Sequence, residues 1–279
     1  MSDEVEHIKK RLSESGFPLE VLIFSELKSV SKFVEHQSYY YDEDEKKTRS
    51  IDLIANLYSR DIKWSSGDPL KFFIESTLVI ECKKSVKHWV FFPLEAPFRS
   101  INGQICSVLH NEYGVPLTID IDTSQRSHRY FEPLGISSTY KVIDEDDRNH
   151  PSAIYEALMQ LTKYIQYNRN LLINDKKEQT KPLKYQIFLW YPVIVFDGKM
   201  WNVYIKDGVV DRLERTNHVV LNYENKSNER NRNDDFFLID VINPDFLDRL
   251  VSGLKEEVKS IDDFLEKDKN RISEQYNIL

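Results

Sequence analysis

Two short apolar runs of this chain each carry one acidic residue where a strand would bury it. Asp52 lies inside the run Ile-Asp-Leu-Ile-Ala, and Glu81 closes the run Leu-Val-Ile. Such runs are typical of buried strands, where an ionised carboxylate is costly unless a cation or hydrogen bonds compensate it. Because side chains alternate along a strand, Glu81 and Lys83 are expected on one face and Cys82 in the core behind it. The sequence therefore predicts a candidate metal site on two neighbouring strands.

Length and composition limit the class of protein. A chain of 279 residues with 41% hydrophobic residues can bury a sizeable core, and its 30% of charged residues, mixed in sign, indicate a globular protein. The longest apolar runs are too short to span a bilayer, and no charged-then-apolar leader opens the chain. Two cysteines, Cys82 and Cys106, suit a reducing compartment and exclude a Cys-rich zinc module. We expect a cytoplasmic protein without membrane association.

Hydrophobic periodicity and turn residues divide the chain into elements. Residues 95–150 are the hardest to interpret, and we expect an excursion there, with short strands at 116–121 and 139–143. The other predicted elements are helices over 2–14, 18–33 and 151–173, a last helix from Leu247, a hairpin over 36–55 with the polar tip 42–47, and the Glu81 strand.

A second hairpin is predicted over 185–205, because Asp197-Gly198 is a strong turn signal. Pro192 predicts that the first strand of this hairpin lies at an edge or is broken, since proline cannot donate to a ladder. No internal repeat or low-complexity linker divides the chain. We therefore expect one α/β domain over 1–279, with 95–150 as an insertion.

Several common catalytic motifs are absent from the sequence. It contains no phosphate-binding glycine loop with a following lysine, no dinucleotide fingerprint, no Gly-x-Ser-x-Gly elbow and no His-Glu-x-x-His, and its seven histidines are scattered. The carboxylates of Asp52 and Glu81 suit Mg²⁺ or Mn²⁺. Lys83 could hold or activate a water, or stabilise charge on a phosphate under attack. Phosphodiester hydrolysis and a buried ion-pair cluster without catalysis are both compatible with these three residues.

The ordered motifs resemble the PD-(D/E)XK nuclease superfamily, which has the restriction-endonuclease-like fold. The similar stretches are GFPLE at 16–20, RSID at 49–52, VIECK at 79–83 and QLTKY at 160–164, the last matching a Gln-x-x-x-Tyr helix motif. They span residues 16–164 in the order helix, hairpin, strand, helix. The leading Pro-Asp pair of the superfamily is missing, because Ile51 precedes Asp52.

The resemblance implies a restriction-endonuclease-like core, with a central mixed β-sheet flanked by helices, an insertion and extra β-hairpins. It also implies bound Mg²⁺ or Mn²⁺. The implied site consists of the metal ligands Asp52, Glu81 and the Cys82 backbone carbonyl, Glu20 at a second metal site or acting through water, the catalytic Lys83, and Gln160 and Tyr164 lining the site or contacting substrate. For Glu20, the sequence alone leaves a second explanation, namely an acid in the first turn of a helix that the helix dipole favours.

The function that the resemblance implies is metal-dependent hydrolysis of DNA, favoured over RNA, in a phage-defence or repair setting. The net charge of −8 leaves only a local basic surface to recruit nucleic acid. The expected recruiting residues are Lys83, Lys84, Lys87, Lys163, Arg169, Trp89 and Tyr167.

Two alternatives stay open at this point. One is a catalytically silent module of the same fold that binds nucleic acid or a protein, and the other is a small-molecule phosphohydrolase. Dimers are frequent in this fold, so a homodimer or a partner protein that supplies targeting is compatible with the resemblance.

Overall fold

The computed structural model describes residues 3–63, 71–93, 109–110, 136–143, 152–177, 184–224 and 236–267. Their helices are α1 (Asp3–Glu14), α2 (Phe17–Val30), α3 (Ala153–Lys177) and α4 (Leu247–Lys267), with a 3₁₀ turn (Pro244–Phe246) before α4. Their strands are β1 (Phe33–Asp42), β2 (Lys47–Lys63), β3 (Lys71–Pro93), β4 (Leu109–His110), β5 (Ile136–Ile143), β6 (Lys184–Lys206), β7 (Val209–Thr216), β8 (His218–Glu224) and β9 (Phe236–Ile242).

The described strands form one mixed sheet of nine strands. β1, β2 and β3 are antiparallel neighbours in chain order, whereas β6 runs parallel to β3 along most of its length. A parallel pair needs a crossover, and α3 lies in the connection between these two strands. The predicted α/β class, with a central mixed sheet flanked by helices, is confirmed. The β6–β7 and β8–β9 pairs are additional hairpins.

Helices cover both faces of the sheet because each presents an apolar stripe. α2 and α4 pack against one face, where Ile23 and Leu27 are fully buried. α3 packs against the other face through the stripe predicted from its periodicity. Each such large apolar side chain stabilises the fold by about 1.5–3 kcal/mol on burial. The buried α3 stripe consists of Ile154, Ala157, Leu158, Leu161 and Ile165.

The prediction of a hairpin across Asp197-Gly198 is wrong. β6 continues through both residues, and the chain turns one Asp-Gly pair later, at Asp207-Gly208, where both residues have positive φ (52° and 78°). The break expected at Pro192 does not occur, because Pro192 lies within β6, opposite Val79 of β3. On the other side of β6, the described strands pair only with residues 186–187, 193–195 and 200–206, so Pro192 has a strand neighbour on one side only, as the alternative of an edge position predicts.

Gly198 is required by packing. A Cβ added there would lie 2.3 Å from Cζ of Phe196 and 2.7 Å from the carbonyl oxygen of Ser85. The Phe196 ring is buried and stacks on Trp89 at 3.7 Å between centroids, so it has little room to move.

We expect Gly198→Ala to lower the free energy of unfolding by about 2 kcal/mol, as an overpacked core substitution does. Gly253 within α4 is the matched control, since a Cβ there meets nothing within 4 Å. Gly253→Ala should raise stability by about 0.5–1 kcal/mol through helix propensity. Urea unfolding of both variants measures the two effects, and equal behaviour would contradict the packing role of Gly198.

Part of the predicted insertion belongs to the sheet. β4 pairs with β6, and β5 pairs with β3 and β8. β5 contains the strand predicted at 139–143, whereas the one predicted at 116–121 lies outside the described residues. No helix in the described part of the chain is both long and apolar enough to cross a membrane.

Candidate active site

The two predicted acids lie where β2 and β3 separate. The β2–β3 ladder runs as far as the pair Leu53–Ile80. Among the described residues, no strand then pairs with β3 on this side until β5 begins at His88. The backbone N–H of Cys82 therefore has no ladder partner there, and it donates instead to Oδ2 of Asp52 at 2.7 Å. The site is a notch in the middle of the sheet.

A backbone distortion next to Asp52 makes the strands change faces at this notch. Gln37 of β1 has φ of 58°, in the left-handed region. Residues two apart in a regular strand share a face, yet His36 contacts α2 whereas Ser38 contacts Tyr164 of α3. Across the pair, Leu53 packs in the α2 layer and Ile51 in the α3 layer. Asp52 thus lies at the crossover, within reach of groups from both layers.

Glu81 and Lys83 form a buried pair, as the alternation predicted. Lys83 Nζ donates to Oε2 of Glu81 at 2.6 Å, while the Glu81 side chain is fully buried and that of Lys83 is 20% exposed. The other oxygen, Oε1 of Glu81, is buried and has no hydrogen-bond partner among the described residues. Burial raises the pKa of Glu81 to about 8, with Asp52 adding to the effect and Lys83 opposing it. Cys82 points into the α2 layer, as predicted.

Lys83 remains a cation at neutral pH. Burial by itself would lower the pKa of its amine, but the neighbouring Glu81 and Asp52 outweigh burial, and the pKa is raised. An amine that keeps its proton cannot serve as a base. It can instead stabilise negative charge that develops on a substrate.

Glu20 reaches the same notch from α2. Burial and the charge of Asp52 raise the pKa of its carboxyl, against the opposing hydrogen bond from His36, whose Nε2 lies 3.1 Å from Oε2 of Glu20. A Cβ built on Gly16 would lie 3.8 Å from Oε1 of Glu20 and 4.0 Å from the Cys82 carbonyl oxygen. The first turn of α2 therefore lies against two of the predicted ligand atoms.

His36 is the member of this site that the sequence did not indicate. Its ring contacts Glu20 and lies between two phenylalanines of α2, Phe17 and Phe24, each with ring centroids 5.9 Å away. The histidines are scattered in sequence, and only the pairing of β1 with β2 brings His36 next to Leu53, one residue from Asp52. The spacing of residues along the sequence does not indicate that His36 lies near Asp52.

Gln160 and Tyr164 lie on α3, one helical turn apart, but in different surroundings. Nε2 of Gln160 donates to the Ser50 carbonyl oxygen at 3.4 Å, two residues from Asp52. The Tyr164 side chain is buried, with its hydroxyl 3.4 Å from the hydroxyl of Ser38 and its ring edge-on to that of Tyr40. Gln160 therefore borders the site, whereas Tyr164 supports the packing of α3 on the face-switched part of β1.

A cavity of about 420 Å³ opens between the β1–β2 hairpin and the first turns of α3. One of its lining residues, Glu156, is close enough to Lys83 for its charge to contribute to the raised pKa of that amine. The Tyr40 hydroxyl is buried without a hydrogen-bond partner in the described structure, and burial is the main cause that raises its pKa. The cavity is lined by Tyr40, Glu45, Arg49, Tyr155, Glu156, Met159, Gln160 and Lys163.

Several of the expected recruiting residues are buried or paired with acids. Trp89 is a core residue, 1% exposed, so the prediction that it contacts nucleic acid is wrong. Arg169 is buried as well. Lys83 pairs with Glu81, Lys84 with Asp197 and Lys163 with Asp42.

The donor set fits a hard divalent cation only in part. Among the described residues, no three His, Cys, Asp or Glu side chains lie close enough together to hold a metal ion. Mg²⁺, however, is commonly bound by one or two carboxylates, with waters and substrate phosphate completing the shell. The unpartnered Oε1 of Glu81 is an oxygen that such an ion would satisfy.

Comparisons with protein-family models, with curated proteins and with solved structures found no match to this chain.

Proposed function

We propose that this chain is a Mg²⁺- or Mn²⁺-dependent nuclease with a restriction-endonuclease-like core, hydrolysing phosphodiester bonds of DNA. The observation that carries the proposal is the convergence of Asp52, Glu81 and Lys83 at the notch between β2 and β3, with a buried oxygen of Glu81 left unpartnered. The element order α2, β1–β2 hairpin, β3, α3 is the order in which the resembling motifs occur.

The residues divide the chemistry among them. Asp52, Glu81 and the Cys82 carbonyl would hold the ion, with Glu20 at a second position or acting through a water. A bound ion supplies Lewis-acid stabilisation of the phosphate and a water of lowered pKa. Lys83, kept protonated by its acidic neighbours, offsets negative charge on the phosphate. Gln160 and the buried Tyr40 hydroxyl supply donors along the adjoining cavity, which we assign to substrate.

The catalytic step can be tested with DNA of defined topology. Purified protein is incubated with supercoiled duplex, circular single-stranded and linear DNA in Mn²⁺, Mg²⁺ or EDTA. We expect metal-dependent cleavage that Lys83→Ala lowers at least about a hundredfold, the size of effect that one charge-stabilising group has. Because burial raises the pKa of Glu81, its carboxyl can take up a proton once its lysine partner is removed, so Lys83→Ala should fold.

Lys9→Ala is the matched control, because this lysine of α1 is also paired with a glutamate, Glu6, but its side chain is 57% exposed. It should cleave like the wild type. Cutting of a circle indicates an endonuclease, and cutting of linear DNA alone indicates an exonuclease. If Lys83→Ala cleaves as fast as the wild type, the assignment of Lys83 is wrong.

A catalytically silent binding module of the same fold is the second candidate. It is favoured by the pairing of Lys83, Lys84 and Lys163 with acids, which offsets the charge of three of the expected recruiting residues. This candidate predicts no cleavage of any of the three substrates in either metal.

A further inference from the structure

β7 is an exposed edge of the sheet. In the described part of the chain it pairs with β6 and with no other strand, and every residue from Val209 to Arg215 is exposed. The β3–β6 ladder ends at Asn202, so the tip of β6 and β7 together form a two-stranded ribbon. Such an edge offers free backbone donors and acceptors to another strand.

The ribbon is also unusually apolar for an exposed element. Val209, Val210 and Leu213 are 65%, 63% and 54% exposed, and Ile205 on β6 is 52% exposed. Clustered exposed apolar side chains mark interaction surfaces more often than isolated ones do.

The charges of β7 are self-complementary about Leu213. In the sequence Asp-Arg-Leu-Glu-Arg, residues equally distant from Leu213 have opposite charges, namely Arg212 with Glu214 and Asp211 with Arg215. Two antiparallel copies centred on Leu213 would therefore place an opposite charge across from each charge, an arrangement that stabilises strand pairs. A shift of one residue in either direction would oppose Asp211 to Glu214 or Arg212 to Arg215, which repel.

We propose that β7 pairs antiparallel with the β7 of a second copy of this chain, with the two-fold axis at Leu213. The contact is isologous, so each charge pair occurs twice. Arg212 is held over the Tyr204 ring, with Cζ 3.8 Å from its centroid, and its Nε lies 3.3 Å from Glu214 of the same copy. Both charged side chains thus lie at the exposed edge. The proposal does not depend on the proposed nuclease function.

The dimer should be weak and reversible. β7 has eight residues, far fewer than the roughly 20–30 a side of a standard interface. A dissociation constant on the order of micromolar is what we expect of such a contact.

Sedimentation velocity of the full chain, from low micromolar to about 200 µM, tests the proposal because this range brackets such a constant. The wild type should dimerise with rising concentration. Arg212→Glu and Glu214→Arg each create two like-charge contacts in the homodimer and should weaken it at least about tenfold. Both side chains are about half exposed (53% and 49%), and circular dichroism with thermal melting verifies that the variants fold.

Mixing the two variants separates strand pairing from a general effect of charge. In the mixed dimer, the glutamates of one chain face the arginines of the other, so an equimolar mixture should dimerise more tightly than either variant alone. A wild type that stays monomeric would overturn the proposal. The charges of β7 would then serve to prevent this edge strand from pairing with other chains. Variants that dimerise like the wild type, or a mixture no tighter than its components, would overturn it as well.

Discussion

Replacing Glu81 by glutamine is expected to abolish metal-dependent cleavage and to make the metal-free fold more stable. Removing a carboxylate ligand should lower the rate of cleavage about a thousandfold, the several kcal/mol that metal stabilisation contributes to a phosphoryl transition state. The same substitution removes the group whose ionisation the fold opposes, since burial raises the pKa of Glu81 to about 8. Glutamine is nearly isosteric with the protonated carboxyl.

The stability gain has a defined pH window. Below the ordinary value of 4.5 the carboxyl is protonated in both states, and between 4.5 and about 8 the folded protein holds a proton that the unfolded chain has released. Wild-type stability therefore falls with rising pH in this window, by up to about 1.4 kcal/mol per pH unit. Glutamine does not titrate, so Glu81→Gln should be more stable by roughly 2–4 kcal/mol at pH 8 and nearly unchanged at pH 4.5.

Urea unfolding at several pH values and thermal melting with and without Mn²⁺ measure both effects. At a hundred times Kd, Mn²⁺ should raise the wild-type melting temperature by roughly 5–10 °C and that of Glu81→Gln much less. Glu75→Gln is the matched control, because Glu75 lies on the same strand and its carboxylate accepts a hydrogen bond from the Thr77 hydroxyl. This variant should keep the response to Mn²⁺. A Glu81→Gln protein that loses stability and keeps that response would show that Glu81 serves a structural ion pair.

Asp42→Asn is expected to cost about 3 kcal/mol of stability at neutral pH, as the loss of a buried charge partner does. Asp42 is 2% exposed and accepts hydrogen bonds from Lys163 Nζ at 2.9 Å, from Arg49 Nε at 2.9 Å, and from the backbone N–H groups of Asp44 and Glu45. It fastens the β1–β2 turn to α3. The asparagine would leave two cations without their shared carboxylate.

The loss should depend on pH with a known sign. Burial raises the pKa of Asp42, but Lys163, the Glu45 amide and Arg49 together outweigh burial and lower it below its ordinary value of 3.8. The stabilisation is therefore present above pH 3.8 and is lost as the pH falls through the lowered pKa. Urea unfolding of wild type and Asp42→Asn should differ most at pH 7 and converge towards pH 3.

Asp44 provides the matched control, since it also pairs with Lys163, at 3.1 Å, but is 77% exposed. Exposed ion pairs contribute little, so Asp44→Asn should change stability by less than about 0.5 kcal/mol. Equal losses from the two substitutions would contradict the role assigned to the buried carboxylate.

Local sequence signals were sufficient where neighbouring residues decide the structure. The helical stripe of α3, the proline at the start of α2 and the alternation of Glu81, Cys82 and Lys83 all depend on periodicity along one element, and the structure confirms them. Asp197-Gly198 shows where such signals fail. It has the composition of a turn, yet the stacking of Phe196 on Trp89 and the approach of Ser85 fix it within a long strand.

The sequence by itself determined that two acids and a lysine occupy neighbouring strands, because β-alternation and the cost of burying charge act on a few adjacent residues. The tertiary structure alone decided how they meet. The notch depends on where the β2–β3 ladder ends. The change of faces depends on the left-handed backbone conformation of Gln37, and the approach of His36 depends on the pairing of β1 with β2. The burial of Asp42, within a run whose composition predicts a solvated turn, depends on α3 arriving from more than a hundred residues away. These features are set by contacts between distant segments, and no local pattern in the chain encodes them.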